Sequence, residues 1–132
     1  DRTNVTGAAT VYRLVWGTEV YDQGGDFDNS STFSAPVTGK YQHNVAVHVF
    51  GITTAITTIY ISLVTSNRTI ILDYFRDDGG ITLEQLKLEG GICTDMDAGD
   101  TATITVIGSG GTDILDLSSG ATETYWTAFL AH

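Results

Sequence analysis

The stretch "FSAPVTGKYQHNVAVHVF", residues 33–50, decides the fold. It holds the only proline of the chain and then runs into ten residues of near-perfect alternation. Successive strand residues point to opposite faces. A strand here therefore places Tyr41, His43, Val45, Val47 and Val49 on one side, with Gln42, Asn44, Ala46, His48 and Phe50 on the other. Pro36 fixes its own φ and has no N–H to donate, which suits the approach to a strand or an edge. Gly39 is expected to take a positive φ at the corner. His43, set among apolar residues, is expected to be a hydrogen-bonded histidine of the core or of a subunit interface.

Outward from this stretch, further β-rich runs follow: residues 9–16, 55–65, 69–75, 82–89, 101–108 and 122–131. Val, Ile, Thr and Tyr dominate them, and branched or aromatic side chains pack well on a pleated surface. Gly pairs at 24–25, 79–80, 90–91 and 110–111 punctuate the chain as turn signals. Seven or eight strands at this spacing predict an antiparallel β-sandwich. "ITLEQLKLEGG", residues 81–91, could start a short helix capped by Thr82, but its brevity and its neighbours favour a strand. In the last run Trp126, Ala128 and Leu130 oppose Tyr125, Thr127 and Phe129. Apolar residues on both sides predict a strand that is covered on both.

The 132 residues suit one domain, assigned to 9–132, with residues 1–8 set apart as an N-terminal arm. The formal charge of −10 argues against nucleic-acid binding, which needs cations to displace counterions. It also argues against an anionic membrane surface. No run of about 18 apolar residues exists to insert into a membrane. Cys93 is the only cysteine, so no internal disulfide forms, and a buried thiol is expected. No signal peptide is visible, and the chain starts at Asp1.

Three motifs carry a resemblance. Phe33, five residues, then Gly39-Lys40-Tyr41 resembles the Phe-x5-Gly-x-Tyr motif of the globular head of complement component one, subcomponent q. His43 and Val45 replace the later aromatics of that motif. "MDAGDTATITV", 96–106, resembles the family's Leu-x-Ala-Gly-Asp turn and strand, and "WTAFL", 126–130, its Phe-x-Gly-Phe-Leu ending. "YDQGGDF", 21–27, resembles its Tyr/Phe-Asp loop with altered spacing. The family is a relative of the tumour-necrosis-factor jelly rolls. The resemblance implies an all-β jelly roll of about 8–10 strands that assembles as a homotrimer. Tyr12, Trp16, Phe33, Tyr41, His43, Tyr60, Tyr125, Trp126 and Phe129 are expected in the core or at the trimer interface, since aromatics beyond what one small sandwich needs often line interfaces. "FSAPVTGKYQ", "TSNR", "DMDAGDTAT" and "SGGTDI" further resemble jelly rolls in virion proteins of tailed, especially marine, phages. That implies a non-enzymatic virion component at the particle surface. It would be a capsid decoration or cement protein, or a distal fibre or spike domain meeting a host glycan. The alternative is a secreted complement-like or cytokine-like recognition domain.

Chemistry finds little support. His43 and His48 lie five apart on one strand and point to opposite faces, so they cannot share an acid–base site. No nucleophile elbow and no His-Glu-x-x-His occurs. Asp95, Asp97 and Asp100 are spaced like the start of a calcium loop, but Asp100 stands where that loop needs Gly and Val106 where it needs Glu. They are expected to form a solvated turn, and no metal or cofactor is expected. Ligand-binding loops could hold Asn67 and Arg68 with Tyr74, or Tyr21 with Asp22 and Asn29. Asn-x-Ser/Thr sequons stand at Asn4, Asn29 and Asn67.

Overall fold

The structure is a computed structural model. It describes residues 2–7, 9–15, 31–52, 56–76, 85–110, 115–118 and 123–131. Trp16, Tyr21, Asp22 and Asn29 lie outside these residues.

Every described element is a strand. In chain order they are β1 (Arg2–Thr6), β2 (Val11–Arg13), β3 (Phe33–Ser34), β4 (Gly39–Phe50), β5 (Thr58–Thr65), β6 (Thr69–Arg76), β7 (Gln85–Met96), β8 (Thr101–Ser109), β9 (Leu115–Leu117) and β10 (Tyr125–Ala131). They form two antiparallel five-stranded sheets, in line with the expected jelly-roll sandwich. β4 is the spine of the first. β7 runs along one edge of it from Gly39↔Met96 to Phe50↔Gln85. β10 takes the first part of the other edge, from Ala131↔Lys40 to Tyr125↔Ala46, and β9 continues it at Val49 and Phe50. β1 pairs with β9. Residues 2–6 of the stretch set apart as an arm thus lie in this sheet. In the second sheet β8 joins β5 on one side and β2 and β3 on the other, and β6 closes the far edge. From β3 onward the chain crosses between sheets at five of seven connections, β5–β6 and β9–β10 being the exceptions.

The alternation of residues 41–50 is realised in the packing. Tyr41, His43, Val45, Val47 and Val49 are all buried between the sheets. They meet Ile59, Ile61 and Leu63 of β5 and Ala102, Ile104 and Val106 of β8 across the core. Each fully buried Ile or Leu contributes about 1.5–3 kcal/mol, so these rows hold the sandwich shut without a disulfide. Pro36 sits in the bend between β3 and β4. Tyr41 closes that bend: its hydroxyl donates to the Val37 carbonyl at 2.7 Å and accepts from the Val37 N–H at 3.3 Å. Tyr41→Phe is expected to cost about 1–2 kcal/mol, read as a lower urea midpoint with an unchanged slope.

Four expectations are corrected. Gly39 does not have a positive φ; among described glycines that belongs to Gly51, Gly99 and Gly110. Its need for Gly is spatial, because a Cβ there would lie 2.7 Å from Leu130 Cδ1. Gly90-Gly91 is not a turn but the middle of β7, which runs through it for 12 residues. A Cβ on Gly90 would stand 2.6 Å from the Leu72 carbonyl oxygen, so the glycine lets β6 close against β7 at the edge of the sandwich. Cys93 is exposed, not buried, because its register opposite Gln42 puts it on the outer face. Finally, β10 is covered on one face only. Trp126 is buried, but Thr127 and Phe129 are exposed, Phe129 at 54%.

Three strands escaped the periodicity. β1, β3 and β9 span five, two and three residues. That is too short for alternation to show, and their pairing comes from partners far along the chain.

Candidate interaction faces

The sandwich offers two outer faces and one knitted end, and the functional candidates fall among these.

The outer face of the β4 sheet carries Lys40, Gln42, Asn44, His48 and Phe50 from β4, with Lys87, Glu89 and Cys93 of β7 on one side. Tyr125, Thr127 and Phe129 of β10 flank the other. Its middle is flat, because Ala46 is fully buried and Gly91 has no side chain. An open dent of about 230 Å³ beside Tyr125 is lined by Asn44, Val45, Glu89 and Gly90. That is below the size of a small-molecule site. Charges of both signs alternate here. Lys87 Nζ sits 5.4 Å from the Tyr125 ring centroid, a cation–π distance. His48 Nδ1 is 3.5 Å from Glu123, and its Nε2 is 2.9 Å from Gln85 Oε1. The Ser118 hydroxyl donates to Glu123 and, with His48 nearby, holds that carboxyl below its usual pKa. Lys40 stands opposite Asp95. Both lysines of the chain lie on this face.

The outer face of the β8 sheet has different chemistry. In register across four strands lie Val11, Ile107, Tyr60 and Tyr74. Tyr60 and Tyr74 stack with centroids 5.7 Å apart. Val11 is 59%, Ile71 56% and Tyr74 52% exposed. Strand alternation adds Arg13 beside Val11 and Arg76 beside Tyr74. None of the described side chains that share this face is a carboxylate. A bulge between Ile61 and Ser62 leaves Leu72 unpaired, so Leu72 and Asp73 turn to the sandwich edge. There Asp73 accepts the Glu89 N–H at 3.0 Å.

At the end of the sandwich, Asp100 joins three segments. Its carboxylate accepts the Asp97 N–H at 2.9 Å and the Asn67 side-chain amide at 2.8 Å. Its carbonyl accepts the Ala35 N–H at 2.8 Å. Arg68 lies in the same hairpin, where its N–H and carbonyl bind Thr65. Asp100 is thus committed to turn closure. Asp95, on the outer face of β7, does not join Asp97 and Asp100, and no group of three His, Cys, Asp or Glu among the described residues could hold a metal ion. Tyr74, expected beside Asn67 and Arg68, is five residues along β6 from the hairpin, about 17 Å away at strand rise.

Of the residues assigned to core or interface, Phe33, Tyr41, His43 and Trp126 form one buried aromatic cluster. Phe33 meets Tyr41 and His43 edge-on at 5.6 Å and Trp126 at 6.3 Å. The Trp126 Nε1–H donates to His43 Nδ1 at 3.2 Å. Burial pushes the His43 pKa down to about 4. Tyr12 packs against the core, while Tyr60, Tyr125 and Phe129 face outward on the two sheets. His48 points away from His43 on the opposite face. Sequence reading missed Arg13, Arg76 and Lys87. Alternation could place each on a face of its strand, but not beside residues of another strand.

No protein-family model matches the chain, and neither does any curated protein. Solved structures do. The globular domain of a zebrafish complement 1qA protein superimposes with a TM-score of 0.62 at 17% identity, over 96% of this chain and 90% of that one. Murine APRIL at pH 8.5 gives 0.62 at 17% identity, over 98% and 92%. At pH 5.0 it gives 0.60 at 14% identity, over 92% of each chain. The chain therefore has the jelly-roll fold of the complement-q and tumour-necrosis-factor type.

Proposed function

We propose that this chain is a non-enzymatic recognition domain that works as a homotrimer, assembled through the outer face of the β4 sheet. One observation carries this reading: β10 is apolar on both faces, and the single chain covers only one, leaving Phe129 54% exposed. The same face mixes Lys40, Lys87, Asp95, Glu89 and Glu123, so copies of a chain of formal charge −10 can meet there without like-charge repulsion. Head-to-tail contacts that close a ring need two complementary patches, and a flat, mixed-charge face supplies both. In sedimentation the wild type is expected to run as three chains and Phe129→Asp as one, with an unchanged β-sheet dichroism. A wild-type monomer at micromolar concentration would overturn the reading.

The finer reading follows the sequence motifs at 33–42, 65–68, 95–103 and 109–114. It makes the trimer a surface component of a tailed-phage virion, either a capsid decoration or a fibre tip that meets a host glycan. Mass spectrometry of purified particles tests the location, with this chain expected at a fixed ratio to the major shell protein. Its absence from particles, with recovery in a secreted fraction, would favour the complement-like alternative.

A further inference from the structure

We propose that a single buried water bridges His43 Nε2 and Thr94 Oγ1, completing a hydrogen-bonded chain that runs from Trp126 on β10 through β4 to β7. This goes beyond the recognition reading and does not rest on it. Among the described residues, three buried side-chain polar atoms have no hydrogen-bond partner: His43 Nε2, Thr94 Oγ1 and His48 Nδ1. His48 lies on the outer face, with Nδ1 3.5 Å from Glu123. The other two atoms belong to side chains on the core side of adjacent strands, His43 at 0% and Thr94 at 5% exposure. In register, His43 stands opposite Ile92 and Thr94 opposite Tyr41, so the two are diagonal neighbours on one face of the β4–β7 pair. The two orphaned core atoms thus fall beside each other.

The chemistry of the two atoms selects the ligand. The Trp126 indole can only donate, so His43 Nδ1 accepts its N–H at 3.2 Å and carries no proton. Burial keeps the ring neutral, with a pKa of about 4, and a neutral imidazole then holds its proton on Nε2. That N–H points away from Trp126, because the two ring nitrogens face opposite sides. Trp126 belongs to β10 and Thr94 to β7, which flank β4 on opposite sides, so the imidazole stands between them. A protonated Nε2 does not ligate a metal cation, and an anion meets no positive charge on a neutral ring. The ligand must be small, neutral and able both to accept and to donate, as water is. Diagonal neighbours on a sheet lie about 7–8 Å apart. His43 and Thr94 do not bond directly, whereas two hydrogen bonds through one oxygen span about 5–6 Å. Leaving both atoms unpaired costs more than immobilising one water, and two polar partners suffice to hold a buried one.

The test begins with the unmodified full chain. A crystal structure that shows ordered solvent is expected to place one water within about 3.2 Å of both His43 Nε2 and Thr94 Oγ1. The imidazole nitrogen-15 spectrum at pH 7.5 is expected to show the proton of His43 on Nε2. A double-mutant cycle in urea then asks whether the two side chains are coupled. Thr94→Val removes the hydroxyl and keeps the shape, and is expected to lower the folding constant about tenfold. In a His43→Phe background the same substitution is expected to change it less than about twofold, because no Nε2–H is left to serve. Solvent density absent from between the two atoms, a direct His43–Thr94 hydrogen bond, a proton on Nδ1, or an equal loss in both backgrounds would each overturn the inference. Should His43→Phe fail to fold, the crystal structure and the spectrum of the wild type still decide it. None of these readouts depends on whether the chain is a monomer or a trimer.

Discussion

Gly90→Val is expected to be the most damaging single substitution in the β-sheets, costing about 3 kcal/mol or more in urea unfolding. The obstacle to a Cβ at Gly90 is backbone: the Leu72 carbonyl oxygen would be 2.6 Å away and its carbon 3.1 Å away. A side chain there can be admitted only by lifting β6 off β7. That would strip the Glu89 N–H from Asp73 and open the edge of the core beside Leu72. Gly91→Ala supplies the contrast. A Cβ at Gly91 would first meet the Asn44 Oδ1 at 2.6 Å, an amide that can turn away, with the His43 carbonyl next at 3.1 Å. It is expected to cost markedly less than Gly90→Val. Equal urea midpoints for Gly90→Val and wild type would mean that β6 and β7 do not close as described.

The second large effect is acid destabilisation through His43. Its ring is fully buried against Phe33 and Trp126. Nδ1 accepts the Trp126 N–H, and Nε2 has no hydrogen-bond partner among the described residues. Burial disfavours the charged imidazolium, and a proton on Nδ1 would face another donor. The pKa therefore falls from 6.5 to about 4 on folding. Because the folded value is the lower one, the unfolded chain binds the proton first as pH drops. The stability tied to neutral His43 is thus full above about pH 6.5, is lost as pH falls from there towards 4, and falls no further below that. The gap from 6.5 to about 4 corresponds to about 3 kcal/mol. His43→Gln removes the titration while keeping an acceptor for Trp126. Between pH 7.5 and 4.5, at fixed protein concentration, the wild type is expected to lose about 2–3 kcal/mol more than this variant. Parallel pH profiles for the two proteins would contradict a neutral buried imidazole.

These expectations show which information was local. Strand residues 39–50 could be placed from sequence because period-two alternation over ten residues allows few alternatives, and one apolar face requires one core. His43 was legible for the same reason: its parity put it with four apolar neighbours. Gly90 and Cys93 were not. A glycine pair has the same local signature in a turn and in a strand that another strand crosses closely. The exposure of Cys93 follows from a register opposite Gln42 that no neighbouring residue encodes. The turn at 97–100 was legible, since an Asp that bonds nearby N–H groups is a local device. Its tie to Asn67 was not, since it joins residues 33 apart.

By itself, then, the sequence determined the sandwich class, the inward row of β4 and the turn at 97–100. Each of these depends on residues within a strand's length of one another. Only the tertiary structure decided which strands are neighbours. It put both lysines on the mixed-charge face, Arg13 and Arg76 around the stacked tyrosines, and β6 against Gly90. The physical reason is that a strand specifies two faces through its own covalent geometry, whereas a surface is assembled across strands whose pairing is chosen by the global burial of apolar side chains.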